Sequence, residues 1–227
     1  MLPSRGESSV GQVRAAVEWR AFRVCRLSAR CGTLELVTTL EIAQLGHPGL
    51  RQRALEVSRE ELESPEVQRF IDDLVETMRQ ANGAGLAATQ VLCPKRIVAI
   101  EVKDNPRYPY KPNIPLTILV NPIIEPISDE RFDNYEGCLS VPNLRGLVSR
   151  HAEVRVTGWD RHGAPIERIV RGLSAGTYQH EVDHLDGLLF VDRVTDTKTL
   201  CTWAEFDKHY KKAFVERIVP FIERMGG

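Results

Sequence analysis

Apolar residues recur at helical spacing in a segment that begins at Ser64 and ends near Asn82. Ser64 can cap a helix, and Pro65 suits the first helical turn. The apolar positions that follow fall on one helical face: Val67, Phe70, Ile71, Leu74, Val75 and Met78. The pattern predicts a helix over residues 64–82 that packs this face on the core.

Strand-like patterning follows in the middle of the chain. Residues 96–102 and 116–124 are rich in Ile and Val and predict strands, with a loop over 104–115 between them. Residues 153–159 alternate like a half-buried strand, and 166–170 can return beside it as a hairpin.

Helical patterning returns in the last third. A helix is predicted over 174–186, and a final helical segment over about 196–224 places apolar residues near one face: Leu200, Trp203, Phe206, Tyr210, Phe214 and Ile218. Strands followed by helices on one side indicate an α+β fold. We expect small antiparallel or mixed sheets around the central helix 174–186, with a C-terminal helix.

The start of the chain differs in composition from the rest. Up to about residue 33 arginine recurs, lysine is absent, and only Glu7 and Glu18 are acidic. This composition resembles an organelle transit peptide, but an upstream-extended start or a poorly ordered tail is the favoured interpretation. We therefore expect residues 1–35 to be an extension and 36–227 to be one catalytic domain, since a second full-sized domain does not fit this length.

Charge and cysteine content narrow the class of protein. The net charge of -1 gives no overall electrostatic attraction to nucleic acid or anionic membranes. No apolar run approaches the ~20 residues of a membrane-spanning helix. Five cysteines, an odd number, favour a reducing compartment over a disulfide framework. A bacterial cytoplasm is the first expectation for location, with an organelle second because of the Arg-rich start.

The strongest chemical signal is His-Glu-x-x-His at residues 180–184. Side chains four residues apart share a helix face, so His180 and His184 can reach one metal ion. Glu181 lies beside them, where it can accept a proton from a water molecule activated by the metal. The pattern predicts a metal-dependent hydrolase.

A catalytic metal ion usually has three protein ligands, and residue spacing alone does not identify the third. A longer zinc-protease pattern retains Gly187 but puts Phe190 where its histidine would be. Glu205 lies at about the sequence distance beyond this motif at which another class of metalloprotease has a glutamate ligand. Cys138 is the remaining candidate, although taken alone it is equally a buried apolar filler.

Three segments together resemble the signature motifs of peptide deformylases: 83–90 (GAGLAATQ), 136–140 (EGCLS) and 179–184 (QHEVDH). The resemblance runs from about Leu40 to Val194. It implies Cys138, His180 and His184 as metal ligands and Glu181 as general base and acid, with Gln90 and the backbone N–H of Leu139 facing the oxyanion. The implied metal is Fe²⁺, which Zn²⁺, Ni²⁺ or Co²⁺ can replace. The implied substrate is the N-formylmethionine of newly made polypeptides.

The resemblance also implies how substrate is held. The backbone at Gly85 and Gly137 would receive the peptide as an added strand. Ala84, Leu173 and Thr177 stand at pocket positions for the methionine side chain, whereas Gly176 stands where the family often has bulkier residues. The 104–115 loop is longer than in the shortest members and has no assigned role.

Two further expectations concern supporting residues and partners. We hypothesise that Arg145 or Arg150 pairs with Glu136 or Asp183 to brace the metal ligands, although exposed arginines on a strand are equally expected. Basic residues on the last helix would suit docking on a ribosome, although a solvated face is more frequent: Lys208, His209, Lys211, Lys212, Arg217 and Arg224.

Two other functions are compatible with the sequence. An endopeptidase of the His-Glu-x-x-His type would need a third ligand other than Cys138 and a cleft open on both sides of the cut. An inactive relative would bind nascent peptides or use its metal structurally, which the presence of Glu181 and Gln90 disfavours.

Overall fold

The structure is a computed structural model that describes residues 21–23, 38–104 and 110–226. The predicted N-terminal extension therefore lies outside the described residues, except for the short strand 21–23. That strand pairs antiparallel with residues 38–40.

The first long helix forms as its sequence pattern predicts. A short helix α1 (Arg59–Glu63) leads into α2 (Pro65–Gln80). The Ser64 hydroxyl accepts the backbone N–H of Val67 at 3.3 Å, which satisfies one of the unpaired donors of the first turn. The apolar stripe of α2 is buried in the largest core cluster, together with residues of the central sheet. The prediction of a core-packed helix over 64–82 is confirmed.

The described strands form one five-stranded antiparallel sheet and two separate strand pairs. In chain order they are β1 (Ala21–Arg23), β2 (Thr38–Leu40), β3 (Gly85–Ala87), β4 (Ile97–Val102), β5 (Ile114–Pro126), β6 (Arg131–Cys138), β7 (Val141–His151), β8 (Glu153–Trp159) and β9 (Pro165–Arg171). The large sheet has the order β3-β4-β5-β8-β9, and β6 pairs with β7. The α+β architecture with small antiparallel sheets is confirmed.

The β6–β7 hairpin is a sheet of its own that the hydrophobic pattern did not predict. The inward positions of β6 alternate as expected for a strand, but two of them are polar: Phe132, Asn134 and Glu136 are buried. Because buried positions carry an amide and a carboxylate, the alternation of apolar and polar residues that marks a half-buried strand is hidden here.

The helix that carries the two histidines lies at the centre of the molecule. This helix, α3 (Gly172–Leu185), buries most of its residues and packs against both the large sheet and the β6–β7 hairpin. A four-residue helix α4 (Phe190–Arg193) follows. In the described part of the chain, no helix is both long and apolar enough to cross a membrane.

The C-terminal segment is helical but not continuous. It contains a 3₁₀ turn over 197–199, a short helix α5 (Trp203–Glu205), a wide turn over 206–210 and the terminal helix α6 (Lys211–Met225). Asp196 and Thr202 interrupt the segment because each accepts a backbone N–H and so starts a new turn. Phe206, Phe214 and Ile218 are buried, which keeps the segment packed near β6.

Candidate metal centre

Cys138, His180 and His184 meet at one point between α3 and the end of β6. Their ligating atoms all lie within 4.8 Å of one another, and they are the three-residue group suited to a metal ion among the residues described. The Cys138 Sγ lies 3.3 Å from His184 Nε2. The structure thus brings together the three side chains that the sequence predicts as ligands, although Cys138 is more than 40 residues away in the chain.

Each imidazole is oriented by its other ring nitrogen. His180 Nδ1 lies 2.8 Å from a carboxylate oxygen of Glu136, and His184 Nδ1 lies 3.0 Å from the carbonyl oxygen of Leu188. Both acceptors favour a proton on Nδ1, which leaves the lone pair of Nε2 for the shared centre. The histidines are therefore held in the tautomer that metal binding requires.

The thiol of Cys138 is placed where it ionises readily. Burial alone would raise the pKa of this thiol, but when the imidazoles are protonated the charge of His184 and hydrogen bonds from both rings lower it to about 5. A thiolate with two Nε2 lone pairs is a donor set suited to a divalent transition metal, with room for a further ligand. The residues present thus fit a catalytic metal ion.

Glu181 points into the same cavity without a fixed partner. Its side chain is 4 % exposed, and Oε2 is buried with no hydrogen-bond partner in the described structure. Burial raises the pKa of Glu181, and the nearby histidines act against that rise. A buried carboxylate with a raised pKa and a free oxygen can both accept and return a proton.

The Gln90 side chain is fixed beside the cysteine. Its Oε1 accepts the backbone N–H of Ala87 at 2.9 Å, while its Nε2 donates to Ser140 Oγ at 3.1 Å and approaches Cys138 Sγ at 3.4 Å. Leu139, which follows the cysteine, lines the same cavity. The amide donor of Gln90 therefore faces the centre in a preset orientation.

Arg150 joins the second and third motifs in the protein interior. It donates to both carboxylate oxygens of Glu136 at 2.8 and 2.9 Å and to Asp183 at 2.6 Å. Asp183 also accepts from Arg193 at 2.6 Å. Although Glu136 is buried, the charge and hydrogen bonds of Arg150 hold its pKa well below the usual range. Glu136, which orients His180, is thus kept ionised.

Arg145 has different contacts from those hypothesised. Its guanidinium stacks on the rings of Trp203 and Phe206, at 4.5 and 3.9 Å from their centroids, and donates to the carbonyl oxygen of Tyr135 at 2.5 Å. It is 1 % exposed. Arg150 therefore makes the contacts to Glu136 and Asp183, whereas Arg145 fastens the C-terminal segment to the β6–β7 hairpin.

A cavity of about 490 Å³ opens in front of the cluster. Ala84, Gly85, Gly137 and Thr177, which were expected to bind substrate, all line it. A Cβ at Gly85 would lie 2.4 Å from the Glu181 carboxyl group, so any larger residue here would have to displace that side chain. Leu173, in the first turn of α3, is buried in a core cluster with Phe132 and does not line the cavity.

Lys111, Asn134 and Trp203 are among the cavity residues that the sequence did not mark as site residues. Lys111 comes from the 104–115 loop, which has no regular pattern. Asn134 was missed because β6 carries polar residues at buried positions. Trp203 was predicted to lie on the apolar face of a helix.

Comparison with known sequences shows the family of this chain. Residues 39–200 match the sequence pattern of the family described as polypeptide deformylase. The chain is 47% identical over 155 residues to peptide deformylase 1 of Bordetella pertussis, covering 68% of this chain and 87% of that protein. It is 42% identical over 169 residues to peptide deformylase 2 of a Nostoc species, covering 74% of this chain and 93% of that protein.

Solved structures agree with the family found by the sequence comparison. The Met-Ala-Ser-bound class I type b peptide deformylase of Acinetobacter baumannii superposes with a TM-score of 0.67 at 40% identity, covering 70% of this chain and 99% of that one. The actinonin complex of a peptide deformylase from Synechococcus elongatus gives 0.63 at 33% identity, covering 83% of this chain and 94% of that one.

Proposed function

The chain belongs to the polypeptide deformylase family, and we propose that it carries out the family's reaction with Cys138, His180 and His184 as metal ligands and Glu181 as proton carrier. The enzyme is a metal-dependent hydrolase that removes the formyl group from the N-terminal methionine of newly made polypeptides and releases formate. The observation that supports the residue assignment best is the convergence of the three ligand atoms beside the unpartnered Glu181 carboxylate.

Each side chain has a role in the hydrolysis. A divalent ion bound at this centre would supply Lewis-acid polarisation and acidify water. Glu181 accepts a proton from the attacking water as the new C–O bond forms on the formyl carbon. Glu181 then delivers that proton to the amide nitrogen, the C–N bond breaks, and formate and the free amine separate.

The charge that develops on the formyl oxygen needs donors already in place. Gln90 Oε1 accepts the backbone N–H of Ala87 and Gln90 Nε2 donates to Ser140 Oγ, so the side-chain amide is already oriented when the oxyanion develops. We assign the backbone N–H of Leu139 as the second donor. Loss of one such donor typically lowers the rate by ~10²–10³.

Substrate backbone would lie along the cavity edges at Gly85 and Gly137. Both residues line the cavity, and neither carries a side chain that would block an added strand. A Cβ on Gly137 would lie 3.1 Å from the Trp203 ring, so this edge is narrow. The first side chain of the substrate then faces the wall formed by α3.

We propose Fe²⁺ as the native ion, with Zn²⁺, Ni²⁺ or Co²⁺ able to substitute. A set of one thiolate and two imidazoles accepts all four ions. Anaerobic purification followed by metal analysis tests this assignment. Zinc alone in protein purified without oxygen would contradict it.

The experiment that tests the whole proposal is a formate-release assay on formyl-Met-Ala, with wild type and Cys138→Ala compared. We expect release by wild type only, and loss of bound metal in the variant. A blocked internal peptide is the control for the endopeptidase alternative, which gains support if that peptide is cut and formate is not released. Formate release by Cys138→Ala at the wild-type rate would refute the ligand assignment.

A ribosome contact through the basic C-terminal residues is a separate proposal. Lys208 and Lys212 are exposed. However, Lys211, Arg217 and Arg224 lie within ion-pair distance of Asp207, Asp133 and Glu130, which reduces the free positive charge. Co-sedimentation with ribosomes that weakens as salt rises would support docking. If co-sedimentation is absent or does not depend on salt, the basic residues form a solvent-exposed helix face with no docking role.

We also propose a bacterial cytoplasm as the location and residues 36–227 as the catalytic domain. The relatives named above are bacterial proteins. N-terminal sequencing of the native protein separates this proposal from the organelle alternative. A mature start near residue 36 would favour a removed transit segment.

A further inference from the structure

The last turns of β6 present different side chains to its two faces. Glu136 points to the α3 side, where its carboxylate lies 2.8 Å from His180 Nδ1. Tyr135 points to the opposite side, where its ring packs against Phe206 and Phe214 of the C-terminal segment, at 5.0 and 5.6 Å between ring centroids. Because successive side chains of a strand alternate between faces, α3 and the C-terminal segment flank β6 here on opposite sides.

Trp203 covers Gly137 on the side of the C-terminal segment. A Cβ added at Gly137 would lie 3.1 Å from Trp203 Cζ2 and 3.6 Å from Cε2, so the indole ring stands in the direction that a side chain at this position would take. Trp203 is half-buried and also lines the cavity. The glycine edge proposed to receive substrate therefore has an aromatic ring on the side away from α3.

The ring of Trp203 is held in place by its own surroundings. The buried Arg145 guanidinium stacks on it at 4.5 Å from the ring centroid. Two residues before the tryptophan, Cys201 exchanges two backbone hydrogen bonds with Arg145 at 2.8 and 2.9 Å. Thr202 Oγ1 accepts the backbone N–H of Glu205 at 3.3 Å and so caps the turn that carries the ring. A ring fixed in advance loses little conformational entropy when a ligand contacts it.

A peptide bound as an added strand would turn its second side chain toward this ring. In the binding mode proposed above, the substrate backbone lies along Gly137 and the first side chain faces the wall formed by α3. Successive side chains of an extended chain point to opposite faces. The second side chain therefore points to the face of β6 on which Trp203 lies.

We propose that Trp203 determines specificity for the second residue of the formylated substrate, and that it favours a large apolar or aromatic side chain over alanine. Contact with the indole ring removes apolar surface of both partners from water, and a substrate ring gains an aromatic contact in addition. A methyl group is too short to cover the ring. The inference rests on the proposed function, since it names a substrate preference of that same cavity.

A purely structural role for Trp203 makes a different prediction. Its stacking on Arg145 could simply fasten the C-terminal segment to the β6–β7 hairpin. Loss of such a fastening would change activity on all second residues alike. Loss of a substrate contact changes the ratio between substrates that differ only at the second residue.

The test compares kcat/KM for formyl-Met-Phe-Ser and formyl-Met-Ala-Ser with the metal-loaded, full-length enzyme. We expect wild type to prefer the phenylalanine peptide roughly three- to tenfold, the size of effect that an aromatic contact produces. Trp203→Ala should bring this ratio close to one, and Trp203→Phe should retain part of the preference. Tyr210→Ala is the matched control, because it removes an exposed ring from the same segment at a residue that does not line the cavity.

Wild type alone can overturn the proposal, so a poorly folded variant does not obscure the result. A ratio near or below one in wild type refutes it, as does an unchanged ratio in Trp203→Ala or an equal loss of preference in Tyr210→Ala. Failure of the proposed function looks different, because then no formyl peptide releases formate. In that case calorimetry with the unformylated tripeptides decides: tighter binding of Met-Phe-Ser than of Met-Ala-Ser by wild type supports the contact, and equal binding refutes it.

Discussion

Replacing Arg150 with methionine should destabilise the protein more than any exchange of a surface arginine. The substitution keeps an unbranched side chain but removes three buried hydrogen bonds, two to Glu136 and one to Asp183. Glu136 would keep only His180 as a partner, and Asp183 would keep Arg193. Removing one partner of a buried ion pair costs about 3–5 kcal/mol, because the remaining charge stays in the interior.

For a domain of this size, each kcal/mol corresponds to about 2–4 °C in Tm, so the expected drop is roughly 6–20 °C. Thermal unfolding followed by circular dichroism measures it, with Arg155→Met as the matched control. Arg155 lies 3.7 Å from Glu167 on the surface, with side chains 51% and 71% exposed. Such a pair contributes about 0–1 kcal/mol. If Arg150→Met unfolds within a degree or two of the control, the buried network does not stabilise the fold.

Arg150→Met should also weaken metal binding by about 10–100-fold, because Glu136 would no longer be held against His180; metal titration of the folded variant checks this, and unchanged affinity would contradict it. Glu181→Gln should keep its metal but lose turnover by about 10²–10⁴, and near wild-type formate release would remove Glu181 as proton carrier. Gly85→Ala should fold but lose activity, because the added Cβ would displace the Glu181 carboxyl group; an unchanged kcat/KM would contradict the close approach. The hydrogen bond from Arg79 lowers the pKa of Glu101, so the carboxylate stabilises the fold above its unfolded pKa and the effect is lost as pH falls through the folded pKa. The free energy of unfolding of wild type should therefore exceed that of Glu101→Gln by up to about 1 kcal/mol at pH 7, and the difference should shrink as pH falls below the pKa of an unfolded glutamate. A difference that stays constant with pH in urea unfolding would contradict the ion pair.

The helical ligands could be predicted from the sequence because their relation is local. His180 and His184 are four residues apart on α3, and helix geometry alone puts them on one face. Cys138 is different, because its approach to His184 depends on how the β6–β7 hairpin packs against α3. Residue spacing alone did not distinguish Cys138 from other candidates for the third metal ligand. The resemblance of the three motifs favoured Cys138.

The polar residues of the cavity could not be predicted for a related reason. Secondary-structure patterning assumes that buried positions are apolar, and β6 breaks this assumption at Asn134 and Glu136. Glu136 is explained by its partners Arg150 and His180. Asn134 has an oxygen without a partner in the described structure, so the protein itself supplies no such explanation for it.

The contacts of the two arginines show how residues outside the motifs hold the centre in place. Arg150 lies on β7, yet it joins Glu136 of the cysteine motif to Asp183 of the histidine motif. Arg145, five residues earlier on the same strand, joins β6 to the C-terminal segment through Tyr135 and Trp203. The hairpin that carries Cys138 is thus tied to α3 on one side and to Trp203 on the other. Because Trp203 also lines the cavity, a change in the C-terminal segment should alter substrate binding while the metal ligands stay in place.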